Sequence, residues 1–497
     1  MANIARRTLL EGIASATALS AMGVASAADD RDQFVVTARG GGVERRLERA
    51  GVTVLDSIAD GRVLLVAAES ADAADVRGVR SVEPNRGYRP VGPAKRSTEE
   101  SLDEQFAAIQ WDKQADTTGA FEAHDTATGE GRSVAIIDTG IDTEHPDLRN
   151  AVARGKLFRA DGAVSPDGSP TVDGDVEVSA RLPPAEGKEI DSYVYLGAPA
   201  TRDQAAGDDV DSHGSHCAGI ATAKHDDTSA GEDFGIAGMA PDAEVVPLRV
   251  FYWKELAGYP YDEDGDGEDE SVTVTTLWTT DYDILGAIDY AAEIGVDAAN
   301  MSLGGGVIKG SAHSTGEHVA YQTVIQSAVR RGTVVTTSAG NADADLQHGG
   351  YYTLPNSVPG SISVSATGPN NERVFYSNYG TSDIDVGAPG GGYETLEKTL
   401  TTDEDAVDWP YPLNLVYSTV PPDLNDGTAY AWYAGTSMAA PQVAGLVALL
   451  REVDPDLSAK QVQSVIENTA RFSRGKRSAD VGAGVIHAPS ALDRASK

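Results

Sequence analysis

The stretch AGTSMAAPQVAGLVALL, residues 434–450, places Ser437 among very small residues and directly before an apolar run of helical character. Small neighbours leave the serine hydroxyl uncovered. Proline is tolerated at a helix start, so Pro441 predicts a helix that begins around Ser437. Free N–H groups and the macrodipole favour negative charge at a helix N-terminus. The stretch suits a nucleophile whose reaction generates an oxyanion, but a serine cap on a buried helix has the same pattern.

Two earlier segments favour the nucleophile. AIIDTGIDTEHPDL carries Asp138 at the end of an apolar run, and DSHGSHCAGI carries His213, followed by glycines at 214 and 219 that permit close helix packing. Each residue alone is more often structural. An Asp, a His and a helix-starting Ser in this chain order is, however, one of the known orders of a catalytic triad. In that chemistry the serine attacks a carbonyl, the histidine transfers its proton, and the aspartate orients the imidazole.

Two more segments predict the surroundings of a reacting carbonyl. Asn341, in VVTTSAGNAD, is a strand-end amide that can donate to a developing oxyanion beside the Ser437 N–H. Ser302, Leu303 and Gly304, in AANMSLGGG, can present backbone groups to an extended peptide by strand addition.

Short apolar runs without alternation predict a parallel sheet covered on both faces. They are SVAIIDTG, EVVPLRVF, AANMSLGG, TVVTTSAGN and SISVSATG. Ligands bind beyond the carboxyl ends of such strands, which is where Asp138 and Asn341 lie.

The segments together resemble the subtilisin-like serine proteases. The motifs IDTGID, HGSHCAG, NMSLGG, SAGN, FYSNYG, APG and GTSMAAPQVAG occur in order, and the resemblance covers roughly residues 105–490. It implies an α/β, three-layer fold with a mostly parallel central sheet and serine endopeptidase activity on peptides and proteins. It also implies that Asp138, His213 and Ser437 are the triad and that Asn341 is the oxyanion donor. The implied walls of the primary specificity pocket are residues 302–304 and residues 338–340, the latter being Ser338, Ala339 and Gly340.

Four units are expected along the chain. Residues 1–28 have the charged start, mildly apolar stretch and small-residue site of an export signal, and Arg6-Arg7 favours the twin-arginine route over general secretion. Residues 29–92 alternate as strand, helix, strand, strand, helix, strand, which predicts a small ferredoxin-like α+β unit. By the residues alone it is a prosegment or a binding module; the resemblance implies an inhibitory propeptide removed by self-cleavage. Residues 93–110 are then the processing linker, with the cleaved bond between Pro93 and Gln110, and residues 111–497 the peptidase domain.

The chain departs from compact family members in three insertions, near residues 165–209, 253–275 and 390–426. We expect these insertions to rim the cleft as loops. The one cysteine, Cys217, follows His213 by four positions; we interpret it as buried and structural, with a redox or metal role as the alternative.

We expect no cofactor for the catalytic chemistry, but we do expect structural calcium. YPYDEDGDGEDESVT fits the first half of a calcium loop through Asp262, Asp264 and Asp266, but Thr273 stands where the bidentate glutamate belongs. A solvated acidic loop is the alternative. By the resemblance, Asp147 in HPDL is a further calcium ligand.

The net charge of −37 lies essentially all after residue 100. Such a surface repels nucleic acid and anionic membranes, so we expect neither as a partner. With the predicted export signal, the acidic surface most resembles the halolysins of haloarchaea; an ordinary acidic protein is the alternative. We expect a secreted monomer without a membrane anchor, its own propeptide acting as inhibitor. A catalytically idle binding protein on the same fold is the competing function, and a metalloprotease is disfavoured because the chain has no H-E-x-x-H pair.

Overall fold

A computed structural model provides the fold. It describes residues 32–68, 71–89, 94–97, 106–148, 155–165, 168–224, 235–262, 269–304, 308–309, 316–348, 351–472 and 476–497. The predicted export signal, residues 1–28, lies outside these ranges, as do Pro93 and residues 98–105 of the predicted linker.

The first unit is a four-stranded antiparallel sheet with the strand order β2-β3-β1-β4. Its elements are β1 (Asp32–Ala38), α1 (Glu44–Arg49), β2 (Thr53–Ile58), β3 (Val63–Ala68) and β4 (Val79–Pro84). This is the predicted ferredoxin-like order with one difference: the second helix is a single 3-10 segment, Ala71–Asp75. Two short strands, β5 (Gly87–Tyr88) and β6 (Ala94–Ser97), follow.

Alternate residues of this small sheet enter two different cores. Val36, Leu64 and Val66 pack on Leu47 of α1 and form the unit's own core. Val35 and Leu65 point the other way, into the apolar core of the larger unit. Each buried side chain of this kind contributes about 1.5–3 kcal/mol, so the first unit is docked on the larger one through the back of its sheet.

The larger unit begins with α2 (Phe106–Ile109). Its strands are β7 (Ser133–Asp138), β8 (Lys156–Phe158), β9 (Thr171–Asp173), β10 (Glu177–Leu182), β11 (Glu189–Asp191), β12 (Val194–Leu196), β13 (Ala200–Ala205), β14 (Glu244–Arg249), β15 (Tyr252–Tyr261), β16 (Glu270–Thr280), β17 (Ala298–Met301), β18 (Ile308–Lys309), β19 (Val334–Ser338), β20 (Tyr351–Tyr352), β21 (Ile362–Thr367), β22 (Val386–Pro389), β23 (Val416–Thr419) and β24 (Tyr430–Ala434). Its helices are α2 (Phe106–Ile109), α3 (Ala120–Ala123), α4 (His213–Thr222), α5 (Asp281–Glu293), α6 (Gly316–Arg331), α7 (Leu396–Thr399), α8 (Thr436–Val453), α9 (Ala459–Thr469) and α10 (Ala488–Ala495).

An eight-stranded sheet of order β22-β21-β19-β17-β7-β14-β8-β9 forms the centre of the larger unit. All its neighbouring strands are parallel except the β8–β9 pair. The five apolar runs predicted as parallel strands are β7, β14, β17, β19 and β21, so that prediction is confirmed.

Helices cover both faces of this sheet, which is why its strands carry no alternation. Val134 and Ile136 of β7 face the core that contains α4 and α8. Ala135 and Ile137, between them, face the core that contains α5 and α6. The three-layer α/β architecture is therefore confirmed, and the carboxyl ends of β7, β17 and β19 meet at one edge.

The first two insertions differ from the expected loops. Residues 189–196 and 252–280 form one antiparallel sheet, β11-β12-β16-β15, and β10 pairs with β13. Tyr193, Trp253 and Leu277 anchor that sheet in the core beside α5. Threonine and valine alternate in SVTVTTLWTT, a pattern that favours strands over loops.

Candidate active site

The parallel sheet places Asp138 and His213 in direct contact. Asp138 is the last residue of β7 and is fully buried, while His213 is the first residue of α4. His213 Nδ1 lies 2.7 Å from Asp138 Oδ1, and the Thr139 N–H donates to the same oxygen at 2.7 Å. The carboxylate therefore holds Nδ1 of the imidazole and turns Nε2 away from itself.

The start of α4 is held by Asp209, which the sequence analysis did not single out. Its buried carboxylate accepts from the N–H groups of Ser212 and Ser215 and from the Thr139 hydroxyl. Ser212 itself has φ of 111°, a conformation that is costly for a residue with a side chain. The network around Asp209 thus fixes a strained turn directly before His213.

The charge of Asp138 controls the imidazole. Burial alone would lower the pKa of His213, but the adjacent Asp138 carboxylate raises that pKa well above its usual value. The pair thus stabilises an imidazolium, the form that His213 would take after it accepts a proton.

Ser437 is the second residue of α8, so the helix begins where the sequence predicted. Its hydroxyl donates to the carbonyl oxygen of Ser302 at 3.1 Å, and the Ser302 hydroxyl donates to the carbonyl oxygen of Ser437 at 2.7 Å. Asn300 in turn donates to the Ser302 hydroxyl at 2.9 Å. The serine is tied to the end of β17 through this reciprocal pair.

Cys217 connects the two helices of the site. Its thiol is fully buried, as expected, and lies 4.0 Å from His213 Nδ1 and 3.4 Å from the Ser437 carbonyl oxygen. Among the hydrogen bonds of the described residues, none joins the Ser437 hydroxyl directly to His213. The structure brings Asp138 and His213 into contact and places Ser437 beside them, with its hydroxyl turned to Ser302.

Asn341 is oriented by Thr436, the residue before Ser437. The N–H and the hydroxyl of Thr436 both donate to Asn341 Oδ1, at 2.9 and 2.8 Å, and the Gly340 N–H donates to the Thr436 hydroxyl at 3.0 Å. Because Oδ1 faces these two donors, the amide NH₂ points away from Thr436. This arrangement leaves the Asn341 NH₂ and the Ser437 N–H as donors at the start of α8.

The two predicted pocket walls lie on neighbouring strands of the sheet. Residues 302–304 follow β17, and Ser338 ends β19 immediately before Ala339 and Gly340. Asn378, from the FYSNYG motif, donates to the Ala339 carbonyl at 2.9 Å. Gly340 has φ of +98°, and a Cβ there would lie 2.5 Å from Asn378 Nδ2, so only glycine suits the position. Leu303 is buried and Gly304 is exposed.

The predicted calcium ligands have different environments. Asp264 and Asp266 lie outside the described residues, while Asp262 is half-buried directly after β15. Asp147 is buried, and its Oδ2 accepts from the Ile236 N–H and the Tyr430 hydroxyl, both at 2.9 Å. Two donors thus already bind Oδ2 of the residue that the resemblance implies as a calcium ligand.

A buried His–Asp pair beside a helix-borne serine, with an amide donor at the same helix end, is the arrangement of serine hydrolases. The Subtilase family model matches residues 129–484. The chain is 34% identical over 378 residues to the extracellular protease of Xanthomonas campestris pv. campestris, covering 75% of this chain and 53% of that protein. It is 30% identical over 350 residues to thermitase of Thermoactinomyces vulgaris, covering 70% of this chain and 84% of thermitase. The chain belongs to the subtilase family.

Solved structures agree in fold. The crystal structure of fervidolysin from Fervidobacterium pennivorans superposes with a TM-score of 0.58 at 21% identity, over 93% of this chain and 61% of that one. By sequence, the chain spans about half the length of two of the curated relatives it matches, 53% of the Xanthomonas protease and 54% of fervidolysin. Among the described residues, no helix is both long enough and apolar enough to cross a membrane.

Proposed function

We propose that the chain is a serine endopeptidase with Asp138, His213 and Ser437 as its triad. The observation that carries the proposal is the buried His213–Asp138 hydrogen bond of 2.7 Å next to a helix N-terminus that bears Ser437. Family membership supports the same reaction, since relatives of this chain are extracellular proteases.

Each of these residues has its own role in the reaction. The Ser437 oxygen attacks the peptide carbonyl carbon while its proton passes to His213 Nε2, and Asp138 stabilises the imidazolium. The tetrahedral oxyanion accepts hydrogen bonds from the Asn341 NH₂ and the Ser437 N–H. Collapse of the intermediate breaks the C–N bond, and His213 returns the proton to the leaving amine. Water then hydrolyses the acyl-enzyme by the same proton transfers.

A fluorophosphonate probe tests this assignment. We expect it to label Ser437 in the processed protein and to leave the Ser437→Ala variant unlabelled. A wild-type protein that is folded but neither labelled nor active on casein would favour the idle binding protein. Activity that is abolished by a chelator and unaffected by serine reagents would favour a metalloprotease instead.

We propose that residues 29–92 are an inhibitory propeptide and that the chain removes them itself after export, by the twin-arginine route. The docking of the small sheet on the larger unit supports this proposal. β6 (Ala94–Ser97) pairs antiparallel with β24, which ends three residues before Ser437, so β6 is held by the peptidase domain. This pairing favours cleavage of the peptide bond N-terminal to Ala94, at the start of the window predicted from sequence. The Ser437→Ala variant should keep residues from about Ala28 onward, whereas trimming of this variant in pure solution would implicate another protease.

We further propose a secreted, halolysin-like monomer with structural calcium, bound at Asp147 or in the loop of Asp262, Asp264 and Asp266. The net charge of −37 supports adaptation to high salt. The uncharged pocket walls, residues 302–304 and 338–340, support a preference for apolar or aromatic side chains before the cut. Cleavage of a mixed peptide library in high salt tests this preference, and a strict requirement for Arg or Lys would contradict it.

A further inference from the structure

A second buried acidic group lies outside the triad, where α5 and α6 begin. Asp281, the first residue of α5, is 3% exposed, and Glu317, the second residue of α6, is 5% exposed. The Tyr321 hydroxyl donates to Asp281 Oδ1 at 3.2 Å. We call Asp281, Glu317 and Tyr321 the acidic pocket. Burying two carboxylates so close together costs free energy unless hydrogen-bond donors reach them.

The donors come from the segment that follows the small first unit. The Tyr88 hydroxyl lies 2.9 Å from Glu317 Oε1 and 3.2 Å from Asp281 Oδ2, and Arg86 donates to Glu317 Oε2 at 2.7 Å. Arg86 is 39% exposed at the rim, whereas burial raises the pKa of Tyr88 well above its usual value. The phenol therefore enters the pocket as a neutral donor.

The segment reaches the pocket by strand addition. Gly87 and Tyr88 pair antiparallel with Thr280 and Thr279, at the end of β16. A Cβ at Gly87 would lie 1.8 Å from the Trp278 ring, so the backbone lies flat against that indole. Such pairing needs only main-chain groups, so another extended peptide with glycine at that position can add to the same edge.

This edge borders the candidate active site. Trp278 of β16 pairs with Tyr252 of β15, and the preceding residue, Phe251, donates its N–H to the Asp138 carbonyl oxygen at 3.4 Å. Further along the chain, Ala94 pairs with Ala434, three residues before Ser437. Tyr88, beside Thr279, and Ala94, beside Ala434, thus both lie on strands that border the candidate active site.

We propose that the acidic pocket is a substrate subsite that selects tyrosine over phenylalanine at one position upstream of the cut bond, and that Tyr88 occupies it in this form. The proposal rests on the proposed endopeptidase function. A tyrosine hydroxyl adds a hydrogen bond to Glu317 Oε1 that a phenylalanine ring cannot make. With phenylalanine, Glu317 would keep Arg86 and Asp281 would keep Tyr321, and Glu317 Oε1 would lose its donor. Hydrogen bonds to charged groups are worth enough to favour tyrosine about 10- to 100-fold in kcat/KM.

The first test uses the unaltered mature enzyme and two fluorogenic peptides. They carry Arg-Gly-Tyr or Arg-Gly-Phe at the distance from the cut bond that Tyr88 has in the chain's own processing site, which N-terminal sequencing gives. We expect the tyrosine peptide to be cut about 10- to 100-fold faster at low concentration. Glu317→Gln should shrink that ratio, whereas the control Asp289→Asn, on α5, should preserve it.

A second test does not need activity. In the full-length Ser437→Ala chain, Tyr88→Phe should speed amide hydrogen exchange at residues 87–89 by about 10- to 100-fold, while the exposed Tyr351→Phe control should not. Equal hydrolysis of the two peptides, or unchanged exchange in Tyr88→Phe, would overturn the subsite. Hydrolysis of neither peptide would overturn the endopeptidase function, and the exchange measurement would then decide the subsite alone.

Discussion

Asp112 and Lys113 form an ion pair that is completely buried beneath the helix carrying Ser437. Lys113 is 0% and Asp112 1% exposed, and Lys113 Nζ donates to Asp112 Oδ2 at 2.6 Å and to Gln442 Oε1 at 2.8 Å. Gln442 Nε2 closes the triangle by donating to Asp112 Oδ2 at 2.7 Å. Burial lowers the pKa of Lys113, and the Asp112 charge opposes this. The triangle joins the beginning of the larger unit to α8.

The free-energy cost of breaking this pair follows from its burial. In Lys113→Met the Asp112 carboxylate keeps only the Gln442 amide as a partner and stays out of water. Removing one partner of a buried ion pair costs about 3–5 kcal/mol, because the other charge remains uncompensated. Replacing both charges, in Asp112→Asn/Lys113→Met, leaves no buried charge. We therefore expect the double variant to recover most of the loss.

Urea unfolding measures the effect. The variants are built on Ser437→Ala so that self-cleavage cannot occur, and unfolding is followed by tryptophan fluorescence in molar NaCl. The shift in midpoint at constant slope gives the change in free energy of unfolding. Lys460→Met, an exposed lysine on α9, is the control and should stay within about 0.5 kcal/mol of the parent. A Lys113→Met loss below about 1 kcal/mol, or a double variant as unstable as the single one, would refute the reasoning.

Three further predictions concern activity and salt. Thr436→Val removes one of the two donors that orient Asn341, so kcat should fall about 10-fold with KM nearly unchanged; an unchanged kcat would contradict that role. Asp138→Asn should lower kcat about 10⁴-fold. It should also move the acid limb of the pH–rate profile to lower pH, because His213 must be neutral to accept a proton and the Asp138 charge raises the pKa of His213. Lowering NaCl from molar to millimolar should reduce the melting temperature, since the Debye length grows from about 3 Å to tens of ångströms, and calcium should restore part of the loss; unchanged melting would show that the acidity does not stabilise the fold.

The sheet and the serine-bearing helix could be predicted because their signals are local. Apolar runs that end on glycine or polar residues identified β7, β14, β17, β19 and β21. The helix at Ser437 follows from composition within a few residues. The same local signals show where each strand ends. Because the carboxyl ends of parallel strands meet at one edge of the sheet, Asp138 and Asn341 could be expected there.

The supporting contacts could not be predicted, because they join residues far apart in sequence. Gln442 lies more than 300 positions from its partners Asp112 and Lys113, and nothing in DKQADTTG distinguishes a buried lysine from an exposed one. Asp209 sits in an acidic insertion, where one more carboxylate carries no signal. The second helix of the first unit was predicted without its type: the structure has a 3-10 segment, Ala71–Asp75, and Gly78, with φ of +98°, lies between it and β4.

Pro441 explains why a proline stands so close to Ser437. It is the sixth residue of α8, one turn further into the helix than a proline in the first turn, and it has no N–H to donate to the Ser437 carbonyl four residues back. That carbonyl instead accepts from the Ser302 hydroxyl at 2.7 Å and from the Cys217 thiol at 3.4 Å. A missing helical hydrogen bond thus lets the end of β17 and the helix of His213 both bind the backbone of Ser437. Pro441 therefore marks the helix in the sequence and also leaves the Ser437 carbonyl oxygen without a helical hydrogen bond. Through that oxygen, the end of β17 and α4 help α8 to fix the position of the nucleophile.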